Sequence, residues 1–210
     1  MTVWKNQLAI SRTPEATLIV KEWIEAKLRE RLHYLRKLKG YRQGDKLARI
    51  EQAETSLADL LSRLHNTKAS VAKLPGIMRG LEGTSSRIYF ETLGELLPDD
   101  YHYEGRSRRP ALDMFNAFLN YGFGILNRIV ERALLLAGVH PYVGFFHEDN
   151  YQRRSMVYDF IERFRIWVEK TVFKLFAAKL PSNQHLQPAP GAPGGVWLNK
   201  PGTHLLTVRL

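Results

Sequence analysis

Three observations on this 210-residue chain predict a mainly α fold, a multi-helix domain with at most a small C-terminal β-hairpin. Apolar residues recur at three- and four-residue intervals over several long stretches. Glycine and proline gather between those stretches and near the end of the chain. Strand-like patterning is confined to the last thirty positions.

The first helix is expected from Pro14 to Lys39, with proline tolerated in its first turn. Val20, Trp23, Ile24, Leu28, Leu32, Leu35 and Leu38 form one apolar stripe on it. Between Arg29 and Arg42 stand six Lys or Arg against Glu30 alone, either a solvated face or a phosphate-contacting stripe. Gly40 marks the stop. A second amphipathic helix covers Asp45 to about His65, burying Ile50, Ala53, Leu57, Leu60, Leu61 and Leu64. Lys68 to Leu74 reads as a short helix, and Ile77 to Leu96 as another. After a polar connection, Pro110 opens a long helical run to about Ala137, with Gly122 and Gly124 as soft points. Gly138 to Asn150 reads as a turn, and a last helix as continuous from about Arg154 to Leu180.

The final thirty residues hold five of the ten prolines and four glycines. Gln184 to Gly195 has the composition of a linker, and Val196–Leu198 pairs with His204–Leu210 as a hairpin unless the tail is disordered. Three segments result: 1–13, a helical domain over 14–182, and a Pro/Gly-rich tail over 183–210.

Composition narrows the chemistry. There are 31 Lys plus Arg against 21 Asp plus Glu, a formal balance of +10, which favours an anionic partner such as nucleic acid. Without cysteine, disulfides, thiolate metal sites, iron–sulfur clusters and thiol nucleophiles are excluded, and a metal must use His, carboxylates, amides or water. No apolar run is long enough for a membrane span.

Three places combine metal-capable side chains with unusual surroundings. In Gly80-Leu81-Glu82-Gly83 two glycines flank an acid within a helical pattern. Each costs about 1 kcal/mol relative to alanine, which suggests close approach of a backbone or a ligand; the alternative is an ordinary solvated helix acid. In Gly144-Phe145-Phe146-His147 a histidine sits at the mouth of an apolar pocket, or is satisfied by a backbone carbonyl. In Tyr158-Asp159-Phe160-Ile161-Glu162, Asp159 and Glu162 share one helix face, free to serve a site or to pair with Arg153, Arg163 or Arg165. One His with two or three carboxylates suits Mn²⁺ or Mg²⁺, would accept zinc, and beside a basic surface fits phosphodiester chemistry.

Four stretches in order carry a family resemblance: LEGTSSRIYF (81–90), RSRRPALDMFNAFLNYGFGIL (106–126), AGVHPYVGFFHEDNY (137–151) and SMVYDFIERFRIWVEK (155–170). With them, roughly residues 15 to 170 resemble the helical catalytic domain of the CRISPR spacer-acquisition integrase, CRISPR-associated protein one. The resemblance implies a catalytic metal, Mn²⁺ or Mg²⁺, held by Glu82, His147 and Glu162, with Asp159 as a supporting acid. It implies strand transfer, in which a protospacer 3′-hydroxyl attacks a phosphodiester at the edge of a CRISPR repeat, with DNA endonuclease activity as a related outcome. The alternatives are a non-catalytic helical DNA-binding scaffold and a related transposase.

Expected DNA contacts are Arg87, Arg106, Arg108, Arg109, Arg153, Arg154 and Arg165, unless these are ordinary surface charge. Asn116 and Asn120, on one helix face, either order the site by hydrogen bonds or pack between helices. Arg163 stands where many relatives have proline, which should spare the last helix a kink. The implied partners are double-stranded DNA (protospacer and repeat or leader), further copies of the chain as a dimer or tetramer, and a small second adaptation subunit. The implied setting is the prokaryotic cytoplasm, away from any membrane. The family's N-terminal β domain has no room in the thirteen residues before the first helix, so the sequence is expected to be either a compact form or a shortened one. A compact form is expected to pair its subunits through the two terminal segments, with DNA holding the assembly together.

Overall fold

The structure is a computed structural model that describes residues 3–68, 73–146 and 153–210. Its order is α1 (Val3–Ser11), α2 (Pro14–Lys39), α3 (Gly44–Asn66), α4 (Leu74–Leu96), α5 (Met114–Leu136), α6 (Ser155–Phe160), α7 (Arg165–Ala177), β1 (Leu186–Pro188), β2 (Val196–Leu198) and α8 (Lys200–Thr207). The fold is mainly α, as the apolar periodicity predicts.

Helix α2 is the organising element. It packs against α3, α4 and α7, and one face buries Val20, Ile24, Leu28, Leu32 and Leu35. Trp23 and Leu38, from the same stripe, pack partly buried at its margin. The basic run that follows is consumed mostly by ion pairs. Arg29 pairs with Glu25, Arg36 with Glu54, and Lys39 with Glu51 and Glu54, so α2 and α3 are tied by opposite charge as well as by apolar contact.

On the other side, α5 packs against α7. A Cβ on Gly122 would lie 2.5 Å from Val168 Cγ1, so this glycine is the close-contact point of the two helices. Asp113 caps α5 by accepting from Asn116 N at 2.7 Å, which is why the helix starts four residues after Pro110. Phe176 of α7 lies against Phe115 and Phe118, with centroids 5.1 and 5.4 Å away, and so locks the two helices together.

Three local expectations are corrected. The last helix is broken by a 3₁₀ turn at Ile161–Arg163, although no proline stands there. Glu162 on that turn is drawn to Lys27 of α2 and to Arg165, and these bonds outweigh continuous α-helical geometry. The hairpin exists, but β2 pairs antiparallel with β1, out of the segment read as a linker, and residues 200–207 form α8. Asn199 explains the change: its side chain accepts from Gly202 N and caps a helix where a turn was expected. Val3–Ser11 is helical: Gln7 of α1 is buried and bonds His140 O, Val143 O and His140 N. The short helix read over 68–74 lies largely outside the described residues.

Candidate active site

The site forms where α2, α4 and the 3₁₀ turn meet. Glu82 points from α4 and Glu162 from the turn, and both reach the ammonium of Lys27. Lys27 Nζ donates to Glu82 Oε1 and, at 2.5 Å, to Glu162 Oε2. The lysine side chain is 3% exposed, against 30% for Glu82 and 16% for Glu162. Ser86 Oγ donates to Glu82 Oε1 at 2.9 Å, and Arg165 Nε to Glu162 Oε1 at 2.7 Å. Burial alone would raise both carboxyls. Lys27 holds Glu82 below the usual carboxylate range, while Arg165 and Lys27 hold Glu162 well below it. Both acids are therefore ionised at neutral pH.

One turn beyond Lys27, Arg31 is fully buried. It grips Glu169 of α7 with Nε at 3.1 Å and a terminal nitrogen at 2.6 Å, and donates to Ser86 Oγ at 2.9 Å. Its guanidinium lies 4.6 Å from the Tyr89 ring centroid. This pair fixes α2, α4 and α7 directly behind the acids.

Asp159 is buried, and its Oδ2 accepts from the backbone N–H of Phe145 at 2.7 Å and of Phe146 at 2.9 Å. Gly144 permits this closeness, since a Cβ there would lie 2.5 Å from Ser155 Cβ. Trp23 stacks on Phe145, with centroids 6.1 Å apart. Asp159 thus anchors the backbone that leads into residue 147. His147 itself lies outside the described residues.

Glu82, Glu162 and Asp159 line a cavity of about 640 Å³, together with Lys27, Arg79, Arg106, Arg108 and Arg165. Arg106 sits between the Phe90 and Phe123 rings, at 5.8 and 5.6 Å from their centroids. It donates to Asn116 Oδ1 at 2.7 Å and to Asn120 Oδ1 at 2.6 Å. Asn116 and Asn120 also donate to the carbonyls of Gly105 and Arg108, so both hold the loop that carries this arginine. Burial, together with neighbouring Arg108 and Arg165, pushes Arg106 down to about 10, which leaves it charged at neutral pH. A Cβ on Gly80 or Gly83 would meet no neighbouring atom within 4 Å among the described residues, so neither glycine is there a close-packing point between helices.

The remaining arginines are placed differently. Arg108 and Arg109 are exposed, and Arg87, which also lines the cavity, is paired with Glu91 at 3.1 Å. Arg154 pairs with Glu131, and Arg153 lies over Tyr158. Lys27, Arg31 and Arg79 are site residues outside the quoted motifs, and Ser86 and Glu169 lie within them without an assigned role. Two charged residues, Lys27 and Arg31, at buried positions of an apolar stripe were the available signal, because such charges are rarely buried without partners.

The donor set fits a divalent cation in part. Two ionised carboxylates converge on one position, now taken by a cation. Among the described residues no group of three His, Asp or Glu completes a metal site.

A family model for CRISPR associated protein Cas1 matches residues 1–210. The chain belongs to the Cas1 family. It is 30% identical over 182 residues to the CRISPR-associated endonuclease Cas1 1 of Thermodesulfovibrio yellowstonii, covering 87% of this chain and 55% of that protein. It is 40% identical over 130 residues to a Cas1 endonuclease of Thermus thermophilus, covering 61% and 40%. This Cas1 chain therefore spans about half the length, or less, of these relatives. In fold it is similar to a partial Cas6-RT-Cas1–Cas2 complex (TM-score 0.85, 22% identity, 98% of this chain and 60% of that one). It is likewise similar to a casposase bound to integration product (TM-score 0.80, 24% identity, 97% and 57%). Among the described residues of this Cas1 chain, no helix is long and apolar enough to cross a membrane.

Proposed function

We propose that the chain carries the catalytic site of a metal-dependent DNA integrase of CRISPR adaptation, acting in the prokaryotic cytoplasm. The observation that carries this reading is the convergence of Glu82 and Glu162 on one buried cation, at the edge of a cavity walled by arginines. Family membership supports the same reading. A structural ion pair needs one acid per cation, as Arg31 with Glu169, whereas here two acids from separate elements share one ammonium at a cavity.

Glu82, Glu162 and His147 would hold Mn²⁺ or Mg²⁺, which supplies Lewis-acid polarisation of a phosphodiester. The protein's own residues do the rest. Arg106 and Arg165 face the cavity and neutralise the non-bridging phosphate oxygens as charge builds on them. Asn116 and Asn120 fix Arg106 so that little reorganisation is needed at the moment of reaction. Asp159 positions the backbone before His147. The protospacer 3′-oxygen forms the new P–O bond, the repeat strand's 3′-oxygen leaves, and one phosphodiester replaces another without a covalent enzyme intermediate. Water in place of the 3′-hydroxyl gives endonuclease activity at the same atoms. Two insertions on opposite strands need two sites, so the working form is a homo-oligomer on DNA, with a small second subunit where the system supplies one.

The test uses purified protein, a short duplex with free 3′-hydroxyls, a repeat-bearing plasmid, and Mn²⁺ or Mg²⁺. Branched product from wild type and none from Glu82→Gln or His147→Ala, with DNA binding intact, is the expected result. Insertion at the same rate into a repeat-free plasmid points to a transposase. Insertion by Glu82→Gln at the wild-type rate refutes the site.

A further inference from the structure

Lys27 has no part in the chemistry above, and its position is unusual. Its side chain is 3% exposed, and its ammonium bonds the two carboxylates assigned to the metal. These are the only protein bonds recorded for it among the described residues. An ammonium is a compact point charge with three donors, so it neutralises two carboxylate oxygens much as a metal ion does.

We infer that Lys27 is an internal stand-in for the divalent cation, and that metal enters this site by exchange with the lysine ammonium. The reading rests on the metal site proposed above. Without Lys27, two carboxylates in a partly desolvated cavity would repel one another, with Arg165 on Glu162 and no direct ion-pair partner left for Glu82 among the described residues. With it, and with Arg165 on Glu162, two negative and two positive charges balance, and the cluster is stable before any metal or DNA arrives. Both acids cannot ligate a metal through the oxygens that now accept from Lys27 unless the ammonium moves out. The side chain has somewhere to go, because Lys27 lines the same cavity as Arg106 and Arg165. Once displaced, the ammonium joins the cationic wall facing the phosphate. Every divalent ion bound must thus displace a competing charge, which lowers metal affinity and keeps the carboxylates in place meanwhile.

The test is Mn²⁺ binding by calorimetry and by electron paramagnetic resonance, without DNA, on the full chain. Wild type, Lys27→Met, Lys27→Gln and Glu82→Gln are compared, with melting temperature measured with and without Mn²⁺. The exchange predicts that Lys27→Met binds Mn²⁺ roughly ten-fold or more tighter than wild type. It also predicts that the variant melts lower without metal and gains more on adding Mn²⁺. Lys27→Gln, which keeps a donor for one carboxylate, should fall between and serves if Lys27→Met does not fold without metal. Wild-type or weaker affinity in both lysine variants overturns the exchange. If wild type and Glu82→Gln bind Mn²⁺ alike, the metal site itself is wrong, and the exchange falls with it.

Discussion

Asp159 accepts the backbone N–H of Phe146 at 2.9 Å, so the buried acid of α6 fixes the chain at the residue before His147. The same oxygen accepts from Phe145 at 2.7 Å. Asp159→Ala leaves two backbone donors in a buried place without their acceptor, each costing about 1–3 kcal/mol. We expect the variant to fold with lower stability, and its strand transfer to fall while DNA affinity holds. Chemical denaturation and an integration assay check this. Wild-type activity in Asp159→Ala would mean that His147 is placed by other contacts.

The Arg31–Glu169 pair gives a stability prediction. Both side chains are buried, at 1% and 0% exposed, so removing one strands the other's charge. Glu169→Gln should cost about 3–5 kcal/mol in urea unfolding. Arg31→Met combined with Glu169→Leu should cost markedly less than either single change.

Acid dependence is expected at the α2–α3 seam. Arg36 and Lys39 hold Glu54 below its ordinary value against some burial, so the folded state favours the carboxylate. The sign follows: the stabilisation is present above the unfolded value of about 4.3 and is lost as pH falls through the lower folded value. The side chain is 21% exposed, so the pair is worth about 1 kcal/mol or less. Wild type should exceed Glu54→Gln in stability at pH 7, and the difference should shrink below about pH 4.5. A gap that stays constant through that range would contradict the assignment.

DNA binding should separate Arg106 from Arg87. Both line the cavity, but Arg106 donates to the Asn116 and Asn120 amides with no carboxylate partner among the described residues, whereas Arg87 is 64% exposed and engaged with Glu91. Arg106→Met is expected to weaken DNA affinity and reduce the slope of log affinity against log salt by about one. Arg87→Ala should leave that slope nearly unchanged. Fluorescence titrations over a salt series read both.

Much of this was legible locally. The α2 boundaries follow from Pro14, Gly40 and a stripe of helical period, because those signals act within a turn or two. Glu82 and Glu162 stand out through a glycine frame and a motif, and the structure brings them to one point. Lys27 did not stand out, because the partners that explain it lie 55 and 135 residues away. The break at Ile161–Arg163 was hidden for the same reason: local propensity favours a continuous helix, and the bonds that rewind it come from α2. The hairpin was read with the wrong partner strand, since Asn199 capping α8 competes with a turn at the same residues. The basic run 29–42 reads equally as a solvated face or a phosphate stripe until its acids on α3 and α7 are in place, because those partners are distant in sequence.

The most direct measurement is the yield of branched strand-transfer product from Glu162→Gln against wild type, with Mn²⁺, at matched DNA occupancy. Loss of product with folding and DNA affinity retained is the predicted result. Product at the wild-type rate would contradict the claim that Glu82 and Glu162 jointly hold the catalytic cation.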